Sequence, residues 1–286
     1  MKHTDLDIMA RKIRKTTIEM AYHAGAAGVH VGGVFSCAEL LAVMYGKILN
    51  IHPSNPTDPN RDRFILSKGH SSAGLYAALY HAGFLNEEEL ATFENDGGMF
   101  PAHSVKNIEK GIELSSGSLG LGFSFGIGEA ISGRKKGLDY HVYVLLGNGE
   151  CNEGSVWEAA MLAVHQKLDH LYMIIDDNHQ QLDGDSEQIL QIKNLPSVLR
   201  EMGFETYLVN GHNIPQLLEV FEHSGGKGKP VAIVMDTVKG KGISFMENNP
   251  KWHHARMQHD EYEQAIKEID NDNCSKNSIA VVQNRL

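Results

Sequence analysis

Two short polar segments each follow a run of apolar residues, and both carry residue types that bind phosphate and metal ions. Residues 147–150 (Gly-Asn-Gly-Glu) come directly after residues 141–146, a β-branched and apolar run typical of a buried strand. Residues 176–180 (Asp-Asp-Asn-His-Gln) follow a second such run, 171–175. Glycines let a backbone approach phosphates, a helix N-terminus offers free N–H groups, and side-chain oxygens hold hard cations such as Mg²⁺. Together the two segments predict a site for a diphosphate and a metal ion.

Two other interpretations of the glycine segment are open. Glycine and asparagine also occur in ordinary turns between a strand and a helix, where they supply positive φ angles. A nicotinamide-binding loop would need the spacing GxGxxG, which GNGECNEG at 147–154 lacks. The second polar segment, one strand later, favours the diphosphate site over the plain turn.

Histidines are frequent, at 16 residues, and they can move protons near neutral pH or donate hydrogen bonds to phosphate oxygens. His30 and His70 lie near glycines in loop-like sequence, which favours a role in a site. The ordinary interpretation, structural or solvent-exposed, is kept for a second group: His3, His23, His165, His170 and His254. Lys239 and Lys241 either approach a phosphate or lie solvated on the surface.

The elements that must position these residues alternate between strand and helix. Residues 6–20 have helical spacing, Ser36 is a candidate cap of a helix that runs to about Ile48, and Asn86 of one that runs to about Glu94. Strands are predicted at 64–66, 141–146, 171–175, 206–209 and 231–235, with helices at 72–81, from the 115–120 segment through 129, and at 154–167, 190–202 and 214–222. This alternation predicts an α/β fold, a doubly wound parallel sheet with helices on both faces, whose ligands bind at the carboxyl ends of the strands. We expect one domain over residues 1–270 and a polar, frayed tail over 271–286.

Composition narrows the function class. The 286 residues are 42% hydrophobic and 22% charged, as in ordinary globular proteins, and the net charge of −10 argues against a nucleic-acid-binding surface. No apolar run reaches the ~20 residues of a membrane helix, and no signal peptide is evident at the N-terminus. The three cysteines, Cys37, Cys151 and Cys274, are too few and too widely spaced for a disulfide framework. We therefore expect a cytoplasmic protein that binds neither membranes nor nucleic acids.

Five ordered motifs, spanning about residues 8–268, resemble the transketolase family. Residues 147–184 look like its thiamine-diphosphate-binding motif, usually GDG followed by an asparagine-bearing cluster. The other four are HVGGVFSCAELL (30–41), RDRFILSKGH (61–70), SSGSLGLG (115–122) and TVKGKGISFMENNPKWH (237–253). The resemblance implies the diphosphate-binding half of a transketolase, with thiamine diphosphate and Mg²⁺ (or Ca²⁺ or Mn²⁺) as cofactors.

The resemblance also implies site residues at matching positions. His70 and His253 match histidines near the diphosphate, His30 and His103 match histidines that face the substrate, and Glu153 matches a glutamate that touches the partner chain's activating glutamate. These five form the predicted catalytic set. The implied cofactor-binding residues are His70, Gly117, Ser118, Leu119, Gly147, Gly149, Glu150, Asn178 and His253. The implied metal ligands are Asn148, Asn178 and the carbonyl of Gln180.

Three departures from the family pattern qualify these expectations. The metal-binding aspartate of the family is Asn148 here, which predicts weaker affinity for Mg²⁺ or help from Asp176 or Asp177. Two prolines of the family's substrate loops are replaced by Val31 and Ser104. The sequence also stops where the family's second half would begin, so a separate subunit is expected to supply the pyrimidine-binding and C-terminal domains.

The leading functional hypothesis is the diphosphate-binding subunit of a two-subunit transketolase-like enzyme, active only with its partner and assembled as a dimer of heterodimers. It would transfer a two-carbon ketol unit from a ketose or ketose phosphate to an aldehyde. One alternative is a thiamine-diphosphate-dependent carboligase that uses an α-keto acid donor. The other is a non-catalytic relative, motivated by Asn148.

Overall fold

The five strands form one parallel sheet, in the order β1-β2-β3-β5-β4. The computed structural model describes residues 3–271. The strands are β1 (Arg63–Leu66), β2 (Val142–Gly147), β3 (Leu171–Asp177), β4 (Glu205–Asn210) and β5 (Val231–Asp236). Every predicted strand is therefore confirmed, and the sheet is parallel throughout. Residues 272–286, most of the predicted tail, lie outside the described residues, and the single domain over 1–270 stays a prediction.

Helices cover both faces of the sheet. In chain order they are α1 (His3–His23), α2 (Val31–Phe35), α3 (Ala38–Val43), α4 (Ser72–His81), α5 (Glu87–Leu90), α6 (Leu121–Lys136), α7 (Gly154–His165), α8 (Ser186–Ile189), α9 (Leu195–Met202), α10 (Ile214–His223) and α11 (His259–Asn271). A π-helical turn, Met44–Ile48, continues α3. None of these helices is both long and apolar enough to cross a bilayer, as far as residues 3–271 are concerned.

Alternation along the strands separates two apolar cores. In β3, Ile174 points into the core that contains α1, α3 and α4, whereas Met173 and Ile175 point into the core that contains α6 and α7. Because successive side chains of a strand face opposite sides, an uninterrupted apolar run is what a sheet buried on both faces requires. The doubly wound architecture is thus confirmed.

Helix boundaries correct three sequence predictions. Ser36 does not cap a helix: α3 follows Cys37, and the Ser36 hydroxyl donates instead to Asp176. The 115–120 segment is irregular, and α6 begins only at Leu121, because Gly120 has a φ of +82°. The helix after Asn86 has the expected capping box with Glu89, but α5 ends at Leu90. In each case a tertiary contact or a turn limits a helix that local sequence would allow to continue.

Two glycines of α6 test how tightly this helix packs on the sheet. A Cβ at Gly126 would lie 2.5 Å from Val144 Cγ2 of β2, whereas a Cβ at Gly128 meets nothing within 4 Å. We expect Gly126→Ala to destabilise the chain by about 1–2 kcal/mol through overpacking. The matched Gly128→Ala should stabilise it by about 0.5–1 kcal/mol through helix propensity. Urea unfolding of both variants measures the difference, and a Gly126→Ala variant as stable as the parent would contradict this packing.

Candidate active site

The polar segments predicted to carry chemistry meet at the carboxyl edge of the sheet. Gly147 pairs in register with Asp176, and the N–H of Asn148 donates to the Asp176 carbonyl at 3.1 Å. A Cβ at Gly149 would lie 3.1 Å from Gln181 Cγ, so the glycine loop lies against the second segment. The two strand tips that the sequence placed together are therefore neighbours.

A buried carboxylate, Asp176, lies at the centre of this edge. Its side chain is fully buried and pairs with the ammonium of Lys68, which is 1% exposed. Ser36 Oγ donates to Oδ2 at 2.6 Å, and Thr237 Oγ1 donates to Oδ1 at 2.5 Å. Burial alone would raise the pKa of Asp176, but the Lys68 ammonium and these hydroxyls outweigh it and hold that pKa below its usual value.

These contacts bear on one expectation about the metal. Both oxygens of Asp176 accept hydrogen bonds from protein groups, so its carboxylate is engaged by the interior. Asp177 is only partly buried, and His179 Nδ1 lies 3.6 Å from its Oδ1. Help from either carboxylate in place of the missing aspartate stays a prediction, and Asp177 is the less engaged of the two.

The side chain of Glu150 holds the glycine loop in place through hydrogen bonds. This carboxylate is 3% exposed and accepts from the Ser67 hydroxyl, the Gly120 N–H at 2.9 Å and the Gly147 N–H at 3.1 Å. Burial raises the pKa of Glu150, against these hydrogen bonds. The side chain ties β1, the start of α6 and the loop together; a contact between Glu150 and a cofactor stays a prediction.

The predicted metal ligands are amides oriented by other protein groups. Asn148 Nδ2 donates to Ser186 Oγ at 2.7 Å, and Asn178 Nδ2 donates to Asp176 Oδ2 at 3.3 Å. These bonds fix the orientation of both amides; the Asn178 oxygen also accepts the Gln180 N–H at 3.2 Å, which leaves it one further acceptor position for a cation. The side-chain Oε1 of Gln180 is buried without a hydrogen-bond partner. No group of three or more histidine, cysteine, aspartate or glutamate side chains within residues 3–271 is arranged to hold a metal. The predicted ligands, Asn148, Asn178 and the Gln180 carbonyl, are neutral oxygens, a ligand type that hard cations accept.

Histidines from four separate segments converge above this edge. His30 is central: its ring centroid lies 5.4 Å from that of His70, 5.8 Å from His103 and 5.4 Å from His253. His70 and His253 also stack at 5.4 Å. The structure therefore brings all four predicted histidines together, and it adds His254, whose ring lies 4.4 Å from that of His30. We call these five residues the histidine cluster.

Three members of the cluster are held neutral. Burial, reinforced by the charges of neighbouring histidines and of Lys239, lowers the pKa of His30 to about 3. Burial and Lys239 lower the pKa of His253 to about 4. Burial and Lys68 likewise hold the pKa of His70 well below its usual value. Neutral imidazoles can each donate one hydrogen bond and accept another, which suits proton transfer.

Lys239 is a buried site residue that sequence reasoning left open. It is 3% exposed, and its ammonium donates to His253 Nδ1 at 3.0 Å and to the Gln181 carbonyl at 3.2 Å. Burial and the Lys68 charge lower its pKa to about 8. Because Nδ1 of the neutral His253 ring accepts, the ring proton lies on Nε2, ready to donate.

The two loops that lack the family's prolines are fixed by other contacts. Val31 is buried and begins α2 directly after His30. Ser104 is 2% exposed; its Oγ lies 2.8 Å from Ser116 Oγ, and its carbonyl accepts from the Ser116 N–H at 2.9 Å. The His103 loop is thereby tied to the segment that contains Gly117, and a Cβ at Gly117 would lie 3.4 Å from the His103 ring.

Four predicted residues lie toward solvent. His103 is exposed in its loop, Ser118 and Leu119 are exposed beside Gly117, and Glu153 is exposed at the start of α7. A Cβ at Gly120, the residue before α6, would lie 2.8 Å from the Cβ of Glu153, so Glu153 lies next to this glycine. These positions leave Glu153 available to another molecule.

Comparisons with known proteins place the chain beside a set of transferases. Residues 7–281 match the family described as "Transketolase, thiamine diphosphate binding domain". The chain is 37% identical to one of the subunits of the apulose-4-phosphate transketolase of Actinobacillus succinogenes, over 94% of this chain and 97% of that protein. It is 38% identical to the 6-deoxy-6-sulfo-D-fructose transketolase subunit SqwG of a Clostridium species, over 93% and 96%. The transketolase structure from Campylobacter jejuni superposes with a TM-score of 0.87 at 29% identity, over 94% of this chain and 43% of that one. The chain thus spans less than half of that transketolase but nearly all of the two subunits.

The neutral histidines predict a measurable pH dependence of folding. The pKa of His30 is about 3 in the folded chain against 6.5 when unperturbed. As pH falls below 6.5, the unfolded state therefore binds a proton that the folded state does not, and stability is lost. We expect His30→Gln to reduce the loss of unfolding free energy between pH 7 and pH 5 by about 1–2 kcal/mol.

Urea unfolding at the two pH values measures this change. His223→Gln, on the exposed end of α10, controls for the loss of one imidazole. An identical pH dependence in the parent and in His30→Gln would mean that His30 is not held neutral by its surroundings.

Proposed function

The chain belongs to the transketolase family, as its thiamine-diphosphate-binding half, and from this membership we propose that it is the cofactor-holding subunit of a two-subunit ketol transferase. The observation that carries the proposal is the convergence of the glycine loop, the two asparagines and the histidine cluster at one edge of the sheet. The reaction moves a two-carbon ketol unit: the ketose C2–C3 bond breaks, and a new bond forms to the carbonyl carbon of an aldehyde.

Thiamine diphosphate supplies an electron sink for the carbon that is transferred, and the residues at this edge fit its diphosphate end. The glycine loop leaves space for phosphate oxygens at Gly147, where a Cβ would meet nothing closer than 4.0 Å, whereas Gly149 lies against Gln181. His253 presents its Nε2–H, and the ammonium of Lys239 adds positive charge beside it. Lys68 pairs with Asp176, whereas the ammonium of Lys239 donates to neutral groups, the His253 ring and the Gln181 carbonyl, which favours an anion beside Lys239.

The remaining cofactor and metal contacts follow the matching positions. Gly117, Ser118 and Leu119 lie beside the two rings of the cofactor, and His70 and Asn178 near its diphosphate. The oxygens of Asn148 and Asn178, with the carbonyl of Gln180, would hold the divalent cation. The orientation of both amides through their nitrogens supports this assignment.

His30 and His103 handle protons at the reacting oxygens. His30 is neutral at pH 7 and lies among four other rings, so it can accept a proton at one nitrogen while it donates from the other. When the aldehyde carbon forms its new bond, its oxygen gains a proton, and a nearby imidazole is the group that can deliver it. His70 and His253 serve this step by orienting His30 through ring contact.

A second subunit completes the site. Relatives that match this chain over nearly their full length are named as subunits, and we propose a partner that carries the pyrimidine-binding and C-terminal domains, in a dimer of heterodimers. Glu153 is exposed at the start of α7, where it can meet the partner's activating carboxylate. Leu121 of α6 and Met161 of α7 are 55% and 58% exposed on the same pair of packed helices, which supports a protein interface there.

The donor is an anionic ketose. Both relatives are named for sugars that carry a phosphate or a sulfonate, and the buried lysines attract anions in general.

A cytoplasmic location is consistent with the buried free thiols of Cys37 and Cys151.

The test of this function is turnover by the separated and combined subunits. We expect no ketol transfer from the purified chain with thiamine diphosphate and Mg²⁺, because half of the site is missing. Transfer from D-fructose 6-phosphate to an aldehyde should appear when the partner is added. Turnover by the chain alone would contradict the assignment to a two-subunit enzyme. Products formed from pyruvate but not from the sugar phosphate would identify an α-keto acid carboligase instead, and absence of cofactor binding by the complex a non-catalytic relative.

Asn148→Asp tests the metal site. The amide of Asn148 donates to Ser186 Oγ, and a hydroxyl can donate as well as accept, so a carboxylate keeps this contact and adds a negative charge. We expect the complex with Asn148→Asp to bind Mg²⁺ about tenfold more tightly in the presence of thiamine diphosphate, a difference of about 1.4 kcal/mol.

Calorimetric titration of Mg²⁺ measures this affinity, and Asn148→Ala, which removes the oxygen, should weaken it. An affinity that changes in neither variant would show that the side chain at 148 does not face the metal.

A further inference from the structure

His254 is the member of the histidine cluster that no motif predicted. Its ring centroid lies 4.4 Å from that of His30, closer than the rings of His70, His103 or His253. The next residue after a predicted site histidine is ordinarily free to point elsewhere. Here both His253 and His254 contact the same ring.

The local backbone fixes His254 in this place. Val29 and Ala255 pair as an antiparallel bridge, with N···O distances of 2.9 and 3.1 Å in the two directions. Val29 precedes His30 and Ala255 follows His254, so this bridge holds the two histidine-bearing segments side by side. Gly28 has a φ of +74°, and a Cβ there would lie 3.0 Å from His254 Cε1. The absent side chain at residue 28 therefore makes room for the His254 ring.

Exposure separates two rings of the cluster from the other three. His30, His70 and His253 are partly buried, whereas His254 and His103 are exposed, and of these two the His254 ring is the nearer to His30, at 4.4 Å against 5.8 Å. Within the described part of the chain, neither ring nitrogen of His254 forms a hydrogen bond or an ion pair. The imidazole of His254, with two available nitrogens, thus lies next to the His30 ring, on the solvent side of the proposed reacting oxygens.

We propose that His254 binds substrate, by a hydrogen bond to a hydroxyl of the sugar chain beyond the carbons that react. This inference rests on the proposed ketol transfer. A sugar that places its reacting oxygen at His30 and His103 must extend its remaining hydroxylated carbons toward solvent, and His254 is the exposed donor and acceptor nearest to the His30 ring. The affinity for substrates of different length and hydroxylation then depends on a residue outside the five motifs of the chain.

The test compares aldehydes of different length in the assembled two-subunit enzyme. With saturating D-fructose 6-phosphate as donor, glycolaldehyde offers one hydroxyl and D-erythrose three. We expect His254→Ala to raise KM for D-erythrose about three- to tenfold, the loss of one hydrogen bond, and to raise KM for glycolaldehyde less than about twofold. His254→Gln, which keeps a donor and an acceptor, should restore most of the affinity for D-erythrose, and His223→Ala is the control for a surface histidine.

Three results would overturn the proposal while ketol transfer by the parent complex stands. KM values equal to those of the parent for both aldehydes would show that His254 does not touch substrate. An equal fall in kcat for both would make it a support for His30, and weaker association of the two subunits in sedimentation would assign it to the interface. Absence of transfer by the parent complex, in contrast, would overturn the proposed function and this inference with it.

Discussion

The arrangement of the site depends on one buried ion pair, between Asp176 and Lys68. A carboxylate without exposure to water is stable only when charge and hydrogen bonds compensate it. Three residues do so for Asp176: Lys68 just after β1, Ser36 just after α2 and Thr237 just after β5. Lys68 also donates to the Gly33 carbonyl at 2.8 Å. Three strand ends and one helix are thereby fixed around a single side chain. His30 comes shortly before Gly33 and Ser36 in the chain, and His70 shortly after Lys68, so these anchors bring rings from distant segments to the same point.

Burial and positive charge together explain the neutral histidines. Two lysines, Lys68 and Lys239, are buried at this edge with two carboxylates, Asp176 and Glu150. A further proton on His70 or His253 would add positive charge where burial, and after it the lysines, already oppose it, so both rings stay neutral. The hydrogen bonds of the Lys239 ammonium go to neutral groups, the His253 ring and the Gln181 carbonyl. A diphosphate beside Lys239 would therefore supply the negative charge that this lysine lacks, and Lys239 links cofactor binding to the neutral state of His253.

Sequence alone predicted the strands, their parallel arrangement and the meeting of the 147–150 and 176–180 segments, because these follow from local apolar patterns and from the geometry of parallel sheets. It did not predict the role of Ser36, which resembled a helix cap but is drawn into the interior by Asp176. It also left Lys239 undecided and gave His254 no part in the site. Their positions depend on tertiary contacts, the burial of the 237–253 loop against α2 and the pairing of Val29 with Ala255, and no local pattern encodes such contacts.

In the proposed site, Asn148 would change how the metal is held. An aspartate at this position would add a charge that attracts the cation whether or not a diphosphate is bound, at a strength of about 4 kcal/mol before desolvation for unit charges ~4 Å apart. With Asn148, and with both oxygens of Asp176 bonded to protein groups, the amide oxygens would offer orientation but little charge, and Asp177 is the carboxylate left to add some. The diphosphate would then supply a larger share of the negative charge that attracts the cation. We therefore expect the metal to bind this chain more weakly without the cofactor than with it, because the two would neutralise each other.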